Sequence, residues 1–192
     1  MNILISAVGG QGALLASRIL GTLARKNGLD VKVSEVHGMS QRGGSVITHV
    51  RFDKKIYSPI IEKGSADFIL AFEWLEGARY ADWLKRNGVL ITSTQKIDPM
   101  SVITGSAPYP EQIRERLNEL PIQFYPLDAL EYAQKAGSIK TVNAVIIGAM
   151  AAISGIEKET WYEAVRENVP QRLIDVNLKA FDLGYEEFNK YC

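Results

Sequence analysis

The sequence predicts an α/β fold: a doubly wound, mostly parallel, Rossmann-like sheet with a β-hairpin insertion and a helical C-terminal end. Short continuous apolar runs at 2–8, 66–72 and 89–93 have the pattern of strands buried on both faces. Amphipathic helical stretches alternate with them, as parallel strands joined by crossovers require. No repeat, low-complexity tract or linker interrupts the chain, so residues 1–192 are expected to form one domain.

The first strand is "NILISAV", residues 2–8. A glycine turn follows. Ala13, Leu15, Ala16, Ile19, Leu20, Leu23 and Ala24 then recur at spacings of three and four, giving a helix with one apolar stripe that ends near Asn27 and Gly28. "VKVSEV", 31–36, is a second strand and completes a βαβ unit. The polar, glycine-rich stretch from His37 to Ser45 is too long for a tight turn. Residues 45–52 and 55–61 read as two short β arms around Asp53-Lys54, the inserted hairpin.

Winding resumes with "ADFILAF", 66–72, then a helix over about 73–87 closed by Gly88, then a strand at 89–93. Residues 94–110 carry three prolines and read as loop; 111–120 is a charged, exposed helix and 122–125 a short strand. The remainder is helical, in segments bounded by Gly137, Gly155 and Pro170. Its most apolar part, 142–156, contains Asn143 and Ser154 and is too short to span a bilayer, which takes roughly 20 apolar residues; it is a buried helix.

Composition excludes several functions. Lys plus Arg and Asp plus Glu are 22 each, so no global field draws the chain to nucleic acid or an anionic membrane. The one cysteine is the last residue, Cys192, which excludes an intrachain disulfide and a thiolate-held cluster. The two histidines, His37 and His49, lack the cysteine or carboxylate companions of a metal site. The chain opens on a strand-like run without a basic n-region or cleavage site, so a cytoplasmic protein is expected. No Ser/His/Asp or paired-carboxylate arrangement stands out, and no catalytic residue is assigned. Trp74, Trp83 and Trp161 read as core or interface.

The candidate site residues follow from topology. In such sheets ligands sit outside the carboxyl ends of the strands. Gly9, Gly10, Gln11 and Gly12 end the first strand, and His37, Gly38, Met39, Ser40, Gln41, Arg42, Gly43 and Gly44 follow the second. Glu73 follows the third run, and Thr94-Gln95 a later one. A helix starting near Gly12 offers unpaired N–H groups to an anion. The dinucleotide fingerprint is incomplete, because Gly12 is followed by Ala13, Leu14 and Leu15; Glu35 stands near where a ribose-binding acid would fall. The alternative reading is that the glycines serve the turn alone. Arg42, the only permanent charge in its loop, suits a phosphate or carboxylate, or packs on the loop's own carbonyls. Asn143 opens the buried helix and Glu73 caps the helix after it.

Two stretches carry a resemblance. "AVGGQGALLASRIL", then "VKVSEVHGMSQRGGSVITHVRF", "YSPII" and "ADFILAFEWLEGARY", with "TVNAVIIGAM" later, resemble the gamma-type subunit or domain of 2-oxoacid:ferredoxin oxidoreductases. The "EVHGMSQRGGSV" form is most similar to the small beta subunits of the branch acting on indolepyruvate. The resemblance implies an accessory subunit that is inactive alone. Its larger catalytic alpha subunit would carry thiamine diphosphate, magnesium and 4Fe-4S clusters. The complex would decarboxylate an arylpyruvate, pass the acyl group to coenzyme A and reduce ferredoxin. Gly9–Gly12 and His37–Gly44 would then lie at the subunit interface or shape the approach of substrate and coenzyme A. The competing readings are a free-standing NAD-dependent dehydrogenase and a nucleotide-binding or scaffold module.

Overall fold

The strands β1 (Asn2–Val8), β2 (Asp30–His37), β3 (Ser45–Asp53), β4 (Ala66–Ala71), β5 (Leu84–Ser93) and β6 (Gln123–Leu127) form one sheet in the order β2-β3-β1-β4-β5-β6. This computed structural model describes residues 1–37 and 44–190, His37 by its backbone only. β1, β4, β5 and β6 pair in parallel; β3 runs antiparallel to both β1 and β2. The α/β expectation therefore holds as a mixed six-stranded sheet with one reversed strand.

Alternation along the strands divides the core. Ile3, Ile5, Ala7, Phe68, Leu70, Val89 and Ile91 pack toward α1 (Ala13–Lys26), α5 (Ala129–Ala136), α6 (Val142–Ile153), α7 (Lys158–Asn168) and α8 (Ile174–Asn189). Leu4, Ile69 and Leu90 point the other way, to α2 (Trp74–Arg79) and α4 (Ile113–Asn118). Both faces are covered. On α1 the predicted stripe is buried except for Leu15, which is half-buried, and each of Ile19, Leu20 and Leu23 contributes roughly 1.5–3 kcal/mol by leaving water. The helix ends as expected: Asn27 Nδ2 donates to the Leu23 carbonyl at 2.8 Å and Gly28 takes φ +69°.

Two expectations are corrected. The hairpin is β2 with β3, whose eight residue pairs run from Asp30↔Asp53 to His37↔Val46; residues 55–61 are not a strand. The reason is that β3 already has β1 on one side and β2 on the other, which leaves no edge for a third partner. Instead the 54–61 segment folds back on side chains. Arg51 Nη1 donates to the Ser58 and Ile60 carbonyls at 2.9 and 3.0 Å, and the Ile56 N–H donates to Asp30 at 2.9 Å. Second, the helix expected over 73–87 stops at Arg79; a short 3-10 turn spans Ala81–Trp83 and β5 starts at Leu84. Gly88 lies within that strand. A Cβ there would sit 2.9 Å from the Lys85 carbonyl and 3.1 Å from that of Ala66. The expected 94–110 loop also contains a one-turn helix, α3 (Met100–Ile103). Among the described residues no helix is long and apolar enough to cross a membrane.

His49 is buried beneath the 54–61 segment, where its Nδ1 accepts the Ile61 N–H at 3.2 Å and its ring meets Trp83 edge-on. That bond requires the neutral imidazole, and burial lowers its pKa below the usual 6.5. A lowered histidine stabilises the fold above the unfolded pKa and loses that contribution as pH falls through the folded value. The melting temperature should therefore fall on acidification below about pH 6.5, and His49→Gln should flatten that slope. An identical acid slope in the variant would remove His49 from the account.

Candidate functional site

The first two candidate segments meet. The Gly9 N–H donates to the Gly44 carbonyl at 2.9 Å, which joins the turn after β1 to the start of β3 at the carboxyl edge of the sheet. Gly38, Met39, Ser40, Gln41, Arg42 and Gly43 lie outside the described residues, as does the His37 side chain.

The glycines of the turn differ in what they do. Gly10 takes φ +102° and a Cβ there would meet open space; Gly12 takes φ +87° and its Cβ would lie 2.7 Å from Asn143 Nδ2. Gly12 is thus required by conformation and by contact at once. Asn143, buried in the first turn of α6, donates from Nδ2 to the Gly12 carbonyl at 3.3 Å and accepts the Ala144 N–H at 2.9 Å. The missing third glycine of the dinucleotide fingerprint argues against a nicotinamide dinucleotide held in the Rossmann manner.

The first turns of α1 and α6 lack a side-chain cap and an acidic residue. Both border a 470 Å³ cavity lined by Gly10, Gly12, Gln95, Lys140 and Asn143. An anion there gains roughly 0.3–1 kcal/mol from each helix end and more from Lys140. Glu35 lines a separate 380 Å³ cavity on the other side of the turn, with Gly9–Gly12 and Leu14.

Glu73 does more than cap. It is 1% exposed, and its Oε2 accepts the Glu76 N–H at 2.8 Å while Oε1 accepts the Ile97 N–H and the Tyr109 hydroxyl, both at 3.0 Å. Burial first, and the Glu73 charge second, push the Tyr109 hydroxyl's pKa up, so it stays a donor. The carboxylate thereby ties α2 to the segment that carries α3. In Glu73→Ala the Ile97 N–H and the Tyr109 hydroxyl both lose their acceptor, so the segment 96–110 should loosen at a cost of about 1–3 kcal/mol. Limited proteolysis reads this out, and unchanged cleavage within 96–110 would show that Glu73 is not the anchor.

Sequence reasoning missed the neighbouring cluster. The buried Glu76 carboxylate accepts from the Ser45 hydroxyl and from Arg79 Nε, the latter at 3.1 Å, beside a 230 Å³ cavity that Gly44, Glu73 and Met100 also line. Glu76 reads in sequence as an ordinary first-turn acid, and its Ser45 partner is 31 residues away. Tyr109 carried no local signal either.

Comparison with known proteins bears on the family and the fold. The family model for pyruvate ferredoxin/flavodoxin oxidoreductase matches residues 2–187. The indolepyruvate oxidoreductase subunit IorB of Pyrococcus horikoshii is 45% identical over 188 residues, 95% of this chain and 93% of that protein. Among solved structures, the keto/oxoacid ferredoxin oxidoreductase gamma subunit of Geobacter sulfurreducens superposes with a TM-score of 0.74 at 26% identity, covering 98% of both chains. The 2-oxoglutarate:ferredoxin oxidoreductase of Magnetococcus marinus shares the fold alone, with a TM-score of 0.76 at 19% identity; it matches 99% of this chain and 31% of the longer one.

Proposed function

The chain belongs to the pyruvate ferredoxin/flavodoxin oxidoreductase family, and from that premise we propose that it is the small subunit of an indolepyruvate-type 2-oxoacid:ferredoxin oxidoreductase. The observation that carries this reading is identity with an IorB subunit over nearly the whole of both chains. In the complex an arylpyruvate such as indolepyruvate is oxidatively decarboxylated, coenzyme A takes the acyl group, and ferredoxin takes two electrons. Residues 1–192 act as one gamma-type domain, in the cytoplasm, without activity of their own.

The chain's own donors do not fit the redox cofactors. Its one cysteine is the last residue, and among the described residues no three His, Cys, Asp or Glu side chains converge as metal ligands. On this reading thiamine diphosphate, magnesium and the 4Fe-4S clusters belong to a larger alpha subunit, and no bond-breaking step runs through this chain. What it contributes is shape and charge at the carboxyl edge. Gly10, Gly12, Lys140 and Asn143 offer an anion-accepting recess for the phosphates of coenzyme A, and Arg42 is assigned a further anion contact on the strength of its permanent charge.

The same edge is the docking surface. Leu14 on α1, Met100 and Ile103 on α3 and Ile139 just before α6 stand 51–65% exposed; Ile139 lines the recess, Leu14 the cavity beside Glu35 and Met100 the one beside Glu76. Exposed apolar side chains near this edge fit a protein contact better than water. The test is reconstitution under anaerobic conditions with the larger chain. Indolepyruvate-dependent, coenzyme A-dependent ferredoxin reduction should require both chains; full turnover by either alone would end the reading.

A further inference from the structure

Gln11 stands at the point where β1 and β4 part, and both ends of its carboxamide are occupied. In a regular parallel ladder, a residue that donates to position i of its neighbour accepts from position i+2. The Phe72 N–H donates to the Ser6 carbonyl at 2.9 Å, so its own carbonyl is due to accept the Val8 N–H. It does not. The Val8 N–H donates to Gln11 Oε1 at 2.8 Å, and Gln11 Nε2 donates to the Phe72 carbonyl at 2.9 Å. A side-chain amide, acceptor and donor side by side, has replaced one backbone bond and holds the strands apart.

We infer that Gln11 is a positioning residue. Its amide is a wedge that sets the opening between β1 and β4, and with it the direction in which the glycine turn and the first turn of α1 face the anion. The turn is pinned from both sides of the wedge, by Gln11 N–H donating to the Val8 carbonyl at 3.2 Å and by the Gly9 to Gly44 bond. Glutamine is suited to this place by chemistry: alanine has neither group, and a glutamate carboxylate accepts from Val8 but repels the Phe72 carbonyl. A protonated glutamate restores both, because its C=O accepts and its O–H donates. A side chain that only filled space would not distinguish the two protonation states.

The inference rests on the proposed coenzyme A-dependent reaction, and the test separates the two. In the reconstituted complex, Gln11→Ala should raise the KM for coenzyme A about tenfold with kcat little changed, at every pH. Gln11→Glu should match that defect near pH 8 and recover part of it, relative to wild type, near pH 5.5, where a carboxyl facing a carbonyl begins to hold its proton. In the isolated full chain, amide exchange of Val8 and of residues 10–13 should rise in Gln11→Ala while that of the β4 core stays slow. If Gln11→Glu equals wild type at both pH values, or if exchange and KM are unchanged in Gln11→Ala, the wedge is refuted. Should Gln11→Ala fail to fold, the pH response of Gln11→Glu decides. Should the wild-type complex show no turnover, the functional reading has failed, and the exchange measurement alone upholds or refutes the wedge.

Discussion

Alanine at Gly148 or Gly184 is expected to be the most destabilising single-methyl substitution in the chain. Both glycines lie at the crossing of α6 and α8, each against the backbone of the other helix. A Cβ on Gly148 would lie 2.0 Å from the Phe181 carbonyl oxygen, and one on Gly184 would lie 2.0 Å from that of Val145. Neither obstacle is a side chain able to turn aside; both are helix backbone, so the helices must separate. Around them Val145, Ile146, Ile147, Met150 and Phe181 are fully buried, and separation opens voids beside them. A cost of about 3 kcal/mol, at the upper end of overpacking, is expected for either variant. For a chain of this length that is a fall of roughly 6–12 °C in melting temperature by circular dichroism. A shift under about 2 °C would mean that the helices do not approach this closely.

Gly12→Ala is expected to have the largest effect on the site. Alanine must adopt a left-handed φ of +87°, which costs about 1–2 kcal/mol, and its methyl must also displace the Asn143 amide 2.7 Å away. The turn and the first turn of α6 then separate, and the recess between them loses its shape. In the reconstituted complex this should reduce kcat/KM for coenzyme A by about a hundredfold, close to 2.7 kcal/mol. Gly10→Ala carries the conformational cost without the collision, because nothing lies within 4 Å of its Cβ, and should cost about tenfold. Pairing Gly12→Ala with Asn143→Ala removes the collision but not the strained φ. The double variant should therefore lose about 1 kcal/mol less than the sum of the single losses. Strict additivity would show that the two residues do not share the site.

What was legible in the sequence is what local pattern encodes. Asn2–Val8, the glycine turn and α1 were readable because an apolar run, a break and a 3.6-residue stripe are all contained within about 25 residues. The strand partner of β3 was not. Residues 31–36 and 55–61 both read as short β arms, and a short Asp53-Lys54 link favours the nearer one; the pairing that wins depends on β1, whose partners on β3 lie 37 to 49 residues away in sequence. The helix after Glu73 read too long because Tyr80, Ala81, Trp83 and Leu84 continue a helical spacing. Only the pairing of Leu84 with Ala66 makes that stretch the start of β5.

The site divides in the same way. The position of Gly9–Gly12 at a carboxyl edge follows from one strand and one helix. That Gly12 answers to Asn143, 131 residues away, does not, nor does the anchoring of Ile97 and Tyr109 by Glu73. The close approach of Gly148 to α8 is hidden for the same reason. In sequence, 142–153 is simply an apolar helix, and the need for a glycine arises only from the second helix that crosses it.

The most direct test of the account is hydrogen exchange measured by mass spectrometry on this chain, free and then bound to the larger subunit. Protection is expected at the carboxyl edge, in peptides covering residues 9–15, 97–104 and 138–143, with the opposite end at 54–65 and the outer face of α7 left unchanged. Protection confined to 54–65 or to α7, with the glycine turn exchanging as freely as before, would contradict it.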